Sequence, residues 1–131
     1  MKYMLLMSGT KADFESYARW PKKDLEANMA FMRAFAKELR DSGAFVSTEG
    51  LAFPDKARLV RSGSDGEPIT DGVFPEAKEF LAGYWIVDVE NEEEALRIAA
   101  RASAAPGPGG VRGGMPIEVR QVLSGAPPEL L

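Results

Sequence analysis

Tyr84-Trp85-Ile86-Val87 is bulky and apolar at every position, and side chains along a strand point alternately to opposite faces of its sheet. A strand of this kind is buried on both sides. Residues 2–7, within Met1-Lys2-Tyr3-Met4-Leu5-Leu6-Met7, show the same lack of alternation before the turn signal Ser8-Gly9. A sheet that holds these two strands needs cover on both faces, and that requirement limits the fold more than any other feature of the chain.

The remaining segments supply part of the cover. Pro21 offers a first-turn position for a helix. Leu25, Met29, Met32, Ala36 and Leu39 then recur at helical spacing, Phe31 and Phe35 widen the stripe, and Gly43 stands where a left-handed cap belongs. The Met and Phe stripe reads as core packing rather than a ligand channel. Asp13 to Trp20, just before it, reads as an irregular turn. Ala44-Phe45-Val46-Ser47-Thr48-Glu49 reads as a second strand, closed by Gly50 and Pro54. Arg58–Arg61 and Pro68–Thr70, joined through Asp65-Gly66, read as a short polar hairpin on the rim. Asn91 with Glu94 three residues on resembles a helix N-cap and its reciprocal partner, opening an Ala-rich helix that runs to about Ala102. Pro106 to Gly114 reads as a flexible loop. It lacks the Gly-Lys-Ser/Thr ending of a phosphate cradle and opens onto a strand, Ile117 to Val122, instead of a helix.

The order is strand, helix, strand, hairpin, strand, helix, strand. This is the α+β plan of a ferredoxin-like split βαβ sheet with an inserted β-hairpin, both helices lying on one face. Strands one, two and the Tyr84 strand read as apolar on both sides, so the other face lacks cover. A large exposed apolar face is rare in a monomer, and a second copy packed sheet to sheet about a two-fold axis supplies the missing cover. A homodimer is expected.

At 131 residues the chain fits one domain, 1–131, with the Pro-Pro segment at 124–131 as a loose tail. The absence of Cys and His removes disulfides, thiolate nucleophiles, Cys or His metal sites, Ser-His-Asp triads and His general bases. Net charge is −4, with basic residues scattered along the chain, so nucleic acid is not an expected partner. The apolar N-terminal run is too short for a signal peptide and no run approaches a membrane span, so a cytoplasmic protein without membrane attachment is expected.

Candidate chemistry gathers where a polar turn, Asp71 to Glu79, enters the Tyr84 strand. A cleft between the sheet face and its cover would be bordered by Asp71, Phe74, Glu76, Lys78, Glu79 and Tyr84, with Glu49 and Arg120 on its walls. Asp71, then Glu49, are the candidates for a carboxylate general base, with Arg120 or Lys78 holding an anion. Two plainer readings stand beside this one: a salt-bridged surface turn for Lys78 and Glu79, and ordinary Asp-Gly turn chemistry for Asp71. No spacing signature supports a carboxylate metal site from Glu49, Asp71 and Glu76, and no cofactor is expected. The functional expectation is a binding or regulatory module that holds a small molecule without turnover; the alternative is a cofactor-independent enzyme acting on a small organic substrate.

Asp71-Gly72-Val73-Phe74, with Glu76, Lys78 and Glu79 after it and Gly83 to Val89 beyond, resembles the motif of the DGPF branch of the YCII-related proteins. The opening Met1 to Leu6, Glu49-Gly50-Leu51 and Glu118-Val119-Arg120 fall where that family carries similar residues. The resemblance implies a dimeric α+β barrel built from ferredoxin-like subunits, in small bacterial proteins mostly of unassigned function. Val73 stands where the motif has proline, which leaves the turn less rigid, and Pro75 restores part of the stiffness. The His-Asp pair suspected of catalysis in the related branch cannot be carried over to a chain without histidine.

Overall fold

The computed structural model describes residues 1–70 and 78–123. Its elements are β1 (Lys2–Gly9), α1 (Lys11–Ala18), α2 (Lys22–Ser42), β2 (Phe45–Gly50), β3 (Val60–Ser62), β4 (Pro68–Thr70), β5 (Phe80–Asp88), α3 (Glu92–Ser103) and β6 (Ile117–Gln121). Four strands form an antiparallel sheet in the order β2-β5-β1-β6, and β3 pairs with β4 in a separate hairpin. The α+β fold and the split βαβ order match the expectation: β1 and β2, joined through α2, lie on either side of β5.

The two-sided strands take the centre of the sheet. On β5, Gly83, Trp85 and Val87 are buried on the helix side, and Tyr3 and Leu5 of β1 lie beside them. The core joins these side chains to Phe35, Ala36 and Leu39 of α2 and Ala95, Ile98, Ala99 and Ala102 of α3. Trp85 meets the Phe35 ring edge to face at 5.0 Å, a geometry favoured by the ring quadrupoles.

Helix ends follow local chemistry. Gly43 closes α2 at φ 82°, and the amides of Gly43 and Ala44 bond back to Arg40 and Leu39, so orphan carbonyls are satisfied. Asn91 caps α3 by accepting from the Glu94 amide at 2.9 Å, but the Glu94 carboxylate accepts from the Glu90 amide, one residue before the cap, and not from Asn91 as the sequence suggests.

Four expectations are corrected. Residues 11–18 form a helix instead of an irregular turn. Thr10 and Asp13 make a reciprocal capping box at 3.1 and 2.8 Å, yet no residue of α1 is buried, and that absence of an apolar stripe is why hydrophobic periodicity gives no sign of it. Met29 leaves the apolar stripe of α2 and is half exposed. β2 is an edge strand carrying Ser47, Thr48 and Glu49, not an apolar two-sided one. The Pro106–Gly114 loop is pinned: Asn28 donates to the Pro106 carbonyl, Ser103 to the Met115 carbonyl, and the amides of Gly107, Gly113 and Gly114 bond within the chain. Those amides already donate to the carbonyls of Val111, Ala105 and Ser103, so they are not free to cradle a phosphate.

Candidate functional site

The sheet face away from the helices follows from strand alternation and register. One cross-strand row runs Ser47–Ile86–Met4–Arg120, and the next runs Glu49–Tyr84–Leu6–Glu118. Met4, Leu6, Tyr84 and Ile86 occupy the middle, half buried and outside the core cluster. Charged side chains flank them on β2 and β6.

Glu49 reaches this face through a backbone irregularity. Phe45 pairs with Val87 on the helix side, but the register shifts before Ser47, which pairs with Ile86. Unbroken alternation would have placed Glu49 on the helix side with Phe45. The extra residue, Val46, flips the rest of β2, because a one-residue slip exchanges faces. Thr48 then donates to the Tyr84 carbonyl at 2.9 Å and holds β2 beside β5. Neither the Glu49 carboxylate nor the Tyr84 phenol has a hydrogen-bond or ion-pair partner among the described residues.

The structure therefore brings Glu49 and Tyr84 together and sets Arg120 apart. Arg120 is three strands from β2, roughly 14 Å at ~4.8 Å per strand, and its guanidinium lies 3.5 Å from Glu118 on its own strand. A small anion held by Arg120 is out of reach of Glu49. Lys78 is exposed. Asp71, Phe74 and Glu76, with Val73 and Pro75 of the motif, lie outside the described residues.

Glu79 enters a different feature. Beyond the Gly50–Gly83 pair the Leu51 amide bonds to the Ala82 carbonyl at 2.9 Å, and an open pocket of ≈ 430 Å³ follows, walled by residues 51–54, Lys56, Ala57 and Glu79 to Leu81. The Phe53 ring in this wall is held edge-on by Phe14 at 5.6 Å and Tyr17 at 6.4 Å, so α1 positions the pocket. Sequence reasoning missed Leu51, Phe53 and Lys56 as pocket residues; the only available signal was the Thr10-x-x-Asp13 cap that announces the bracing helix.

A second hollow, ≈ 460 Å³, lies at the other end of the sheet between Met1, Asp88, Glu90 and Glu94. Its ammonium and the Asp88 and Glu94 carboxylates are already engaged. The N-terminal ammonium donates to Asp88 at 2.9 Å, and that hydrogen bond, followed by the ammonium's charge, holds the Asp88 carboxyl below its ordinary range against a small opposing effect of burial.

Among the described residues no group of three or more Asp and Glu could hold a metal ion, and no helix is long and apolar enough to cross a membrane. The YCII-related domain matches residues 1–123. The chain belongs to the YCII-related family. That match spans all four strands of the main sheet and the Asp71–Phe74 motif. No curated protein matches the chain. Within this YCII-related fold, the Glu49–Tyr84 pair and the Phe53 pocket are neighbours at one end of the sheet, two residues apart along β2 and its continuation.

Proposed function

We propose that the chain works as a homodimer, packing the open face of its four-stranded sheet against a second copy and holding a small molecule at the Glu49–Tyr84 end without turning it over. The observation that carries this reading is the composition of the open face, where Met4, Leu6, Tyr84 and Ile86 form an apolar centre between the charged residues of β2 and β6. An apolar centre with a polar border is the anatomy of an interface. The unpartnered phenol and carboxylate suit hydrogen bonding to a ligand, and the lack of His and Cys favours binding over turnover.

The test has two parts. Ile86→Lys places a charge at the centre of the face, and light scattering after size exclusion is expected to show a dimer for the parent chain and a monomer for the variant. A monomeric parent chain would refute the dimer. A small-molecule screen is then expected to find compounds that raise the melting temperature in the parent and less so in Glu49→Gln, with no product formed. Product that disappears in Glu49→Gln or Asp71→Asn would replace this reading with the enzymatic one, in which a carboxylate serves as general base.

A further inference from the structure

The pocket beyond the Gly50–Gly83 pair combines a fixed aromatic wall with one cation and one anion. Phe53 is held by two rings. The turn at Pro54–Lys56 that follows is stiff, closed by the Lys56 amide on the Phe53 carbonyl at 2.9 Å and the Ala57 amide on the Pro54 carbonyl at 3.0 Å. Arg58 braces the same turn through the carbonyls of Asp55 and Ala57. The wall is thus formed before any ligand arrives, and preorganisation lowers the cost of binding. Leu51 and Leu81 stand 46% and 37% exposed and Phe53 39%, an apolar surface that nothing in the described chain covers.

Lys56 and Glu79 line this pocket. Neither is ion-paired, with the other or with any described residue. Two opposite charges that share a pocket without neutralising each other complement a ligand that carries both. We infer that the pocket takes a zwitterionic small molecule with a flat apolar body, of the class of an aromatic α-amino acid. Its ring lies against Phe53 and Leu81, its carboxylate meets Lys56 and its ammonium meets Glu79. A ring fits the edge of a fixed aromatic better than a flexible aliphatic chain does, and the pocket volume exceeds that of such a molecule, which leaves room for water around the charged end. This inference rests on the small-molecule reading above and names the ligand class.

The experiment is an amide chemical-shift titration of the full chain with L-phenylalanine, 3-phenylpropionate, phenethylamine and benzyl alcohol, repeated in Lys56→Met and Glu79→Gln. Both substitutions fall on exposed side chains and leave the core intact. Phenylalanine is expected to shift the amides of Leu51, Phe53 and Leu81 and to bind roughly threefold or more tighter than either single-charge analogue, the scale of one exposed ion pair. Lys56→Met should weaken phenylalanine and phenylpropionate while sparing phenethylamine, and Glu79→Gln should do the reverse for the two analogues. Benzyl alcohol matching phenylalanine overturns the zwitterion class and leaves an apolar site. If phenylalanine leaves these three amides still while another compound raises the melting temperature, the inference is overturned and the binding reading stands elsewhere on the chain. If none of the four probes moves the three amides, the pocket is not a ligand site.

Discussion

Gly50 and Gly83 face each other across β2 and β5, yet adding a methyl group to one or the other has opposite consequences. A Cβ on Gly83 would sit 2.8 Å from the Glu49 carbonyl oxygen, 3.3 Å from the Gly50 Cα and 3.4 Å from the Met7 methyl. The first two contacts are backbone, so relief requires moving β2 as a strand. Overpacking of this kind costs about 1–3 kcal/mol. Because β2 is the edge strand it can give outward, and the lower part of that range, about 1–2 kcal/mol, applies to Gly83→Ala. A Cβ on Gly50 meets nothing within 4 Å, and its φ is not in the left-handed region. Gly50→Ala therefore gains from the reduced freedom of the unfolded chain, by about 0.4–1 kcal/mol. Urea unfolding monitored by Trp fluorescence should give equal slopes and midpoints displaced in opposite directions. Thermal midpoints should fall by about 3–10 °C for Gly83→Ala, at roughly 3–5 °C per kcal/mol for a domain of this size. The displacement also opens the Glu49–Tyr84 pair, so any ligand held there should bind more weakly to Gly83→Ala and unchanged to Gly50→Ala. Equal losses in both variants would mean that the strand responds to backbone entropy and not to close approach. A neutral Gly83→Ala would refute the packing of β2 on β5.

Three further outcomes are expected. Leu39, 2% exposed between α2 and the sheet, should cost about 2–5 kcal/mol on Leu39→Ala in the same urea assay, and a loss under ~1 kcal/mol would show that the core collapses around the gap. Thr10→Ala removes one half of the α1 capping box, worth about 0.5–2 kcal/mol to the helix; since no α1 residue is buried, hydrogen exchange in residues 11–18 should quicken while the global urea midpoint barely moves. Asp88 is held below its ordinary value of 3.8 mainly by the hydrogen bond from the N-terminal ammonium. A carboxyl with a lowered folded pKa adds stability above its ordinary pKa and loses it as the pH falls through the folded value, so the stability gap between the parent and Asp88→Asn should be flat near neutral pH and close only below about 3.8.

Which parts of this architecture could be read in advance depended on whether a signal was local. The two-sided run at Tyr84–Val87 forces β5 to the middle of the sheet, and Gly43 marks the end of α2, because in both cases the residues themselves carry the constraint. The helix α1 is hidden in the sequence because none of its residues is buried, and the ring contacts of Phe14 and Tyr17 with Phe53 are made across the chain and leave no stripe. Glu49, at the end of the second strand, and Tyr84, in the strand after the turn, are both cleft candidates, but the sequence does not show that they pair. Counting along an uninterrupted β2 from Phe45 puts Glu49 under the helices, and only the shift at Val46 turns it to the open face beside Tyr84. Sequence patterning reports which faces a strand has, whereas a bulge decides which residues share one. The same physics separates the nominated residues in space: Glu49 and Arg120 are both sound choices on a list of charged wall residues, but a sheet places them roughly 14 Å apart and gives Arg120 to Glu118. On the proposed reading a single small ligand must choose an end of the face, and the end whose carboxylate and phenol have no partner among the described residues, beside an open apolar pocket, is the one at Glu49.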